Sequence, residues 1–308
     1  MRIASLLPSA TEIVASLGLE EFLVGVSHEC DFPATVMGLP VLTSSILDAG
    51  LSPVEIDRAV QAAGLEHRPL YRVDGDLLSS LQPDLILTQG VCAVCAVTEE
   101  TIQESLRLLP IDRACSAPVL SLEAKSYGGI QEDLRAVAQA LGKPSRGEEV
   151  CAAMDRRWHG LQAPAARPRV LMLEWADPPW SAGHWVPEQV RAAGGENLLG
   201  EGGGDSRRLD WGEVVAADPD CIVSISCGFD LQRNIETARA LYDHPVAGQL
   251  RALRGEELWA ADANSFFSRP APRVVRGAEL LGRLFQRRAG SETAEDLVRV
   301  RRSSGSPT

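Results

Sequence analysis

The sequence predicts an α/β protein of two Rossmann-like lobes, each with a parallel sheet, joined by a long backbone helix and leaving a ligand cleft between the lobes. Three observations lead there. The chain has 308 residues, and at roughly 150 residues per domain that length calls for two domains. Strand-like and helix-like segments alternate in both halves, the grammar of parallel sheets covered by helices. Two short segments of the first half recur, in the same order, in the second. The expected divisions are a lobe over residues 1–145, a linking helix and linker over 146–167, a second lobe over 168–288 and a disordered tail over 289–308.

Residues 2–7 read as a short apolar strand. Ser9-Ala-Thr-Glu12 reads as a capping box for the helix that follows, because Ser and a Glu three residues on satisfy each other's orphan amides. Gly18 ends that helix in a left-handed cap. Residues 22–27 make a second strand and run into the loop 28–33. Asp76-Leu-Leu-Ser-Ser-Leu81 is a helix, and Pro83-Asp84 turns the chain into the strand 85–88. The stretch 129–161 is helical and broken at Lys143-Pro144-Ser145. Its second piece is the joining helix, and Ala163-Pro-Ala-Ala-Arg-Pro168 is the linker after it. In the second half, residues 169–173, 221–226 and 258–261 are strands. A helix starts near Pro187, and residues 274–287 form an amphipathic helix. Gly194-Gly-Glu196-Asn-Leu-Leu199 echoes Gly18-Leu-Glu20-Glu-Phe-Leu23. Glu213-Val-Val-Ala-Ala-Asp-Pro219-Asp220 echoes the run from Leu77 through Pro83-Asp84. Gly200-Glu-Gly-Gly-Gly-Asp205 follows no strand and opens no helix, so it reads as a flexible link rather than a phosphate cradle.

Composition excludes several functions. Apolar residues are 45%, charged residues 23% and the net charge is −12, so an ordinary folded domain is expected and nucleic acid is not an expected partner. No apolar run reaches the roughly 18 residues of a bilayer span, so membrane insertion is not expected. Seven cysteines, an odd number in a large chain, suit a reducing compartment. The N-terminus lacks the pattern of a signal peptide. The expected location is therefore the cytoplasm, or the periplasm if the natural start lies elsewhere. No P-loop, nucleophile elbow or H-E-x-x-H motif occurs, and no carboxylate pair stands out, so binding is expected ahead of catalysis.

In open parallel sheets, ligands bind beyond the carboxyl ends of the strands. The residues just after strands are His28, Cys30 and Phe32; Cys92 and Cys95; Trp175, Trp180, His184 and Trp185; Cys227; and Phe266 and Arg269. Ser9, after the first strand, joins that ligand-binding set. Loop aromatics suit a large flat ligand, although they also pack among themselves. Cys92-x-x-Cys95 with His28-x-Cys30 offers up to four ligands for zinc, iron or another thiophilic metal. The same thiols also fit simple packing or redox work.

Leu7-Pro-Ser-Ala-Thr-Glu-Ile13, Asp84-Leu-Ile-Leu87, Trp211-Gly-Glu-Val-Val-Ala-Ala-Asp-Pro-Asp220 and Ala263-Asn-Ser-Phe-Phe-Ser-Arg-Pro270 together resemble the vitamin B12-binding, helical-backbone class of ABC-transporter solute-binding proteins. The resemblance covers about residues 1–287. It implies cobalamin or another corrinoid as ligand, clamped by aromatics, with Trp175, Trp180 and Trp185 at the second-lobe aromatic position. It also implies one acidic docking residue per lobe for an ABC permease. Asp76 stands at that position in the first lobe, whereas Gly212 stands there in the second with Glu213 next to it, which weakens the permease expectation. A metal- or tetrapyrrole-handling enzyme, such as a chelatase or corrinoid reductase using the Cys/His set, is the alternative. A haem or ferric-siderophore carrier ranks third, because only Arg269 is placed to meet an anion.

Overall fold

The computed structural model describes residues 1–47, 50–51, 53–65, 69–90, 100–103, 116–286 and 295–302. The chain divides into two compact units. The first comprises Met1–Ala124 and Gly128–Cys151, the second Lys125–Tyr127 and Ala152–Thr308.

The first unit carries β1 (Ile3–Ser5), β2 (Leu23–Gly25), an antiparallel ribbon of β3 (Thr43–Ser45) and β4 (Tyr71–Val73), β5 (Leu85–Gln89) and β6 (Val119–Leu122). Its main sheet has the order β2-β1-β5-β6 and is parallel throughout. The first four residues of β5 are all buried, as expected of a strand covered on both faces. Ala4, Leu6, Leu42, Leu78, Ile86 and Ile102 form one core cluster of this unit.

The second unit carries β7 (Arg169–Ala176), β8 (Pro179–Ser181), β9 (Glu196–Asn197), β10 (Arg207–Arg208), β11 (Cys221–Ser224), β12 (Leu258–Ala261) and β13 (Leu297–Arg299). The sheet order is β10-β8-β7-β11-β12-β13, with β9 also beside β7. The strands β9, β7, β11 and β12 are parallel, and β8, β10 and β13 are antiparallel additions.

The two echoes in the sequence are two repeated local structures. The helix Pro8–Ser16 ends with Gly18 at φ +72°. The Gly18 N–H donates to the Ala15 carbonyl and the Leu19 N–H to the Val14 carbonyl, a Schellman closure that favours a residue without a Cβ. The helix Val186–Ala192 closes in the same way through Gly194 and Gly195. The second echo is a clasp. In the first unit the Arg2 N–H donates to the Asp84 carboxylate at 2.7 Å while the Asp84 N–H donates to the Arg2 carbonyl at 2.7 Å. In the second, Arg169 and Asp220 make the same reciprocal pair, each at 2.8 Å. The helices before the clasps, Gly75–Leu81 and Trp211–Ala217, both end in a left-handed residue, Gln82 and Asp218. Pro-Asp after a left-handed stop thus sets the register of the next strand against the first strand of its own unit.

Three expectations are corrected. The capping box at Ser9 does not form. The helix starts two residues earlier, at Pro8, whose fixed φ and missing N–H suit a first helical position, and Leu7 at the N-cap makes no side-chain cap. Part of the expected disordered tail is ordered: Leu297–Arg299 pairs antiparallel with β12. It covers an otherwise open sheet edge. The Arg299 guanidinium sits 4.9 Å from the Trp259 ring centroid, and the Tyr242 hydroxyl donates to the Val300 carbonyl at 2.9 Å. The expected flexible link at 200–205 is a bound loop, as described below.

The helices Tyr127–Ala140 and Pro144–His159 occupy the stretch expected to be helical, and the division between units falls inside the second of them. Three residues upstream of that stretch belong to the second unit. There the Tyr127 ring stacks on Trp158 at 4.0 Å, its hydroxyl donates to Asp155 at 3.0 Å and its N–H donates to Glu188 at 2.6 Å. Among the described residues, no helix is long and apolar enough to cross a membrane.

Candidate functional site

In the second unit, β7 runs three residues beyond the expected strand and turns through Asp177-Pro178 into β8, so Trp175 and Trp180 stand on a hairpin rather than in a loop. They are cross-strand partners. Leu173 pairs with Ser181 and Trp175 with Trp180, which leaves Glu174 as the extra residue of a β-bulge, a feature that re-aims a side chain. The Trp175 ring meets the Phe229 ring at 5.2 Å and 50°. On Phe229 lies the Arg233 guanidinium, 3.9 Å from the centroid. The Trp175 indole N–H is buried and finds no acceptor among the described residues.

Phe229 and Arg233 were not singled out in the sequence. They are held by the loop after β11, where Gly228 takes φ +81° and the Phe229 N–H donates to the Ser226 carbonyl. Asn234, fully buried, braces that loop. Its Oδ1 accepts from the Ser226 N–H at 2.7 Å and its Nδ2 donates to the Phe229 and Asp230 carbonyls. Asp230 caps the helix Leu231–Arg239 by accepting from the Arg233 N–H. Cys227 is exposed on the same loop.

Beside the hairpin is a polar cluster. The Ser206 hydroxyl donates to Glu174 Oε2 in a short hydrogen bond and accepts from the Gly183 N–H at 3.3 Å. Burial pushes the Glu174 carboxyl up to about 7, opposed by the Ser206 hydrogen bond. The His184 ring is held low by burial, against the pull of Asp205. Its Nε2 lies 3.6 Å from the Asp205 carboxylate, which Lys125 also approaches at 2.8 Å. The glycine-rich loop is bound here. The His184 N–H donates to the Gly204 carbonyl at 2.6 Å and the Gly203 N–H donates to the His184 carbonyl at 2.8 Å. Gly183 lets the two backbones meet, since a Cβ there would lie within 2.6 Å of the backbone of residues 204–206, so this loop is not a free link.

The raised Glu174 pKa has a signed consequence. The folded protein keeps this proton at pH values where the unfolded chain, with an ordinary value of 4.5, has lost it. The stabilising contribution is present in full below about pH 4.5 and is lost as pH rises through about 7, on the order of 3 kcal/mol in total. Urea unfolding at pH 5 and pH 8 is expected to show this loss in the native protein and a flatter profile in Glu174→Gln.

The other expected residues fall unevenly. Trp185 is 5% exposed and its indole N–H donates to the Phe267 carbonyl at 3.0 Å. It is a core residue at the start of a helix, which corrects its expected place on a ligand. Phe266 is half-buried, with the Arg273 guanidinium 5.8 Å from its centroid. Arg269 is buried at 9% exposure. Gln189 holds this region by donating to the Phe266 and Val274 carbonyls at 2.9 and 2.8 Å.

In the first unit, His28 and Cys30 serve different partners. His28 Nδ1 lies 2.7 Å from the Thr43 hydroxyl, and its ring meets Tyr71 at 5.5 Å. Cys30 is buried with Sγ 3.1 Å from the Thr11 hydroxyl, which donates to Ser5 at 2.8 Å. Among the described residues no group of three or more His, Cys, Asp and Glu could hold a metal ion. Cys92 and Cys95 lie outside the described residues. Phe32 is 42% exposed on its strand-end loop. The Ser9 hydroxyl is buried and has no partner among the described residues.

The two acidic residues expected at docking positions, Asp76 and Glu213, also differ. Asp76 is exposed at the second position of its helix, behind the Asp74 cap. Glu213 is one position further on in its own helix and closes a capping box with Asp210. Its carboxylate accepts from the Asp210 N–H at 2.9 Å and from Arg207 at 3.0 Å, and these bonds hold its pKa low.

The profile of the periplasmic binding protein family matches residues 3–264. Over 283 residues the chain is 22% identical to the vitamin B12-binding protein of Vibrio cholerae serotype O1, covering 90% of this chain and 86% of that one. Among solved structures, a periplasmic haem-binding protein from Pseudomonas aeruginosa aligns with a TM-score of 0.68 at 18% identity, covering 99% of each chain. The periplasmic vitamin B12 binding protein BtuF of Vibrio cholerae aligns with a TM-score of 0.61 at 20% identity, covering 93% of this chain and 98% of that one. These likenesses show a shared fold, and the match over most of the chain shows that this protein belongs to the periplasmic binding protein family.

Proposed function

We propose that this chain is a non-catalytic binding protein for cobalamin or a related corrinoid. The observation that carries the reading is the aromatic ledge at the carboxyl ends of β7 and β11. There Trp175 leans on Phe229, Trp180 stands opposite it on the hairpin, and the Trp175 N–H is left without an acceptor among the described residues. A flat ring system suits the ring faces of such a ledge. The relative named a vitamin B12-binding protein supports the ligand class.

A second reading is haem. It is favoured by Arg233 on Phe229 and Arg273 near Phe266, cations fit for carboxylate groups, and by solved relatives described as haem-binding. The enzyme alternative needs Cys92 and Cys95 and has no support among the described residues. The family description favours the periplasmic location over the cytoplasmic one and a role in delivery to an ABC transporter, with the exposed Asp76 and Glu213 as the docking acids.

Titration with hydroxocobalamin, followed by its visible spectrum and by tryptophan quenching, is expected to give a Kd of about 1 μM or tighter. Binding of hemin with no response to hydroxocobalamin would transfer the assignment to haem. No response to either would leave the family's fold without this ligand class.

A further inference from the structure

We propose that Glu174 is a positioning residue for the Trp175–Trp180 pair and acts through Ser206. The inference rests on the reading of that pair as the ligand platform. Glu174 is the bulged residue of β7, directly before Trp175. Ser206 directly precedes β10, whose Arg208 pairs with Trp180 and whose Arg207 pairs with Ser181 on β8. The strand order is β10-β8-β7. The Glu174 carboxyl therefore reaches past β8 to the entry of β10, and one hydrogen bond ties the two outer strands around the one between them. The same Ser206 oxygen accepts from the Gly183 N–H, just beyond the end of β8, so all three strands are joined at one hydroxyl.

The arrangement is an unusual use of a carboxyl group. Glu174 is the acceptor of a hydrogen bond inside a buried setting that disfavours its charge. A carboxyl retained there acts through shape and acceptor geometry rather than by attracting a counter-ion. The pairs Leu173–Ser181 and Trp175–Trp180 flank the bulge, the Glu174 side chain ties it to the entry of β10, and the bulge sets the direction of Trp175. Glutamine keeps the length and the acceptor oxygen; alanine keeps neither.

The test uses the full chain as wild type, Glu174→Gln, Glu174→Ala and Ser206→Ala. Near-UV circular dichroism reports the tryptophan setting without ligand, and titrations with hydroxocobalamin and with hemin report the platform. Glu174→Ala and Ser206→Ala are expected to change the near-UV tryptophan bands and to weaken binding of the accepted probe by roughly 10-fold. Glu174→Gln is expected to stay within about 2-fold of wild type with native bands. Native bands and native affinity in Glu174→Ala would overturn the proposal. So would a Glu174→Gln protein as impaired as Glu174→Ala, which would mean that the charge or a direct ligand contact matters. If Glu174→Ala fails to fold, Ser206→Ala, which removes one oxygen, decides. If wild type binds neither probe, the ligand reading fails, and the near-UV comparison alone still decides the positioning role.

Discussion

Trp175→Ala is expected to weaken binding of hydroxocobalamin, or of hemin if that is the ligand accepted, by about 30-fold, or ~2 kcal/mol. The size follows from position. Trp175 is the half-buried ring of the ledge, and its removal uncovers one face of Phe229 as well as losing its own. Trp180→Ala is expected to cost less, just over 1 kcal/mol, because Trp180 lacks that second ring. Trp175→Phe separates the two contributions, since it keeps a ring and removes the N–H that has no acceptor among the described residues. Titration of the three variants by visible absorbance is the measurement. Unchanged affinity in Trp175→Ala would remove the ledge from the ligand site.

Gly183→Ala is expected to destabilise the protein by about 3 kcal/mol, more than a methyl group usually costs on an open surface. A Cβ at this position would lie 2.5 Å from the Asp205 carbonyl carbon, 2.6 Å from the Gly204 oxygen and 2.6 Å from the Ser206 nitrogen. All three are backbone atoms, so no side chain can swing aside. The loop must leave His184, and with it go the Ser206 bond to Glu174 and the Asp205 contacts with His184 and Lys125. Urea denaturation gives the stability change. Ligand titration on the folded fraction should show a parallel loss, because the same loop pins the hairpin.

Much of the fold was legible because it is written in short-range chemistry. Gly18 and Gly194 announce left-handed helix ends that a residue free of Cβ makes most readily, and Pro83-Asp84 and Pro219-Asp220 announce strand entries. The capping box at Ser9 misled because Pro8 competes for the start of the same helix, and sequence spacing cannot rank the two. The end of the chain misled because its arginines suggest a solvated tail, whereas Leu297 and Val298 supply a strand for the open edge of β12 and Arg299 lays its cation on Trp259. At the proposed site, Trp175 and Trp180 were expected in a loop beyond a strand, whereas both lie on the strands of a hairpin. Trp185 was not separable from them, since three tryptophans in eleven residues look alike until the Phe267 carbonyl claims one. Phe229 and Arg233, which complete the proposed ledge, drew no expectation because reading stopped at Cys227. The signal was present in Gly228-Phe229-Asp230, a left-handed turn, a ring and a helix cap in succession. Glu174 could not have been found, because a bulge depends on the register of two strands.

The three residues Lys125–Tyr127 bear on modularity. They precede the second unit's continuous segment by more than twenty positions, yet they supply the stack on Trp158, the hydrogen bonds to Asp155 and Glu188, and the cation that holds Asp205 beside His184. The second unit is therefore not a clean C-terminal module. A fragment beginning at Ala152, or a chimera that grafts a relative's C-terminal half onto this chain, inherits a Trp158 face stripped of its ring and a glycine-rich loop stripped of its lysine. Exchange of binding specificity between relatives, in the laboratory or in natural recombination, has to carry this upstream triplet along or find a substitute for it.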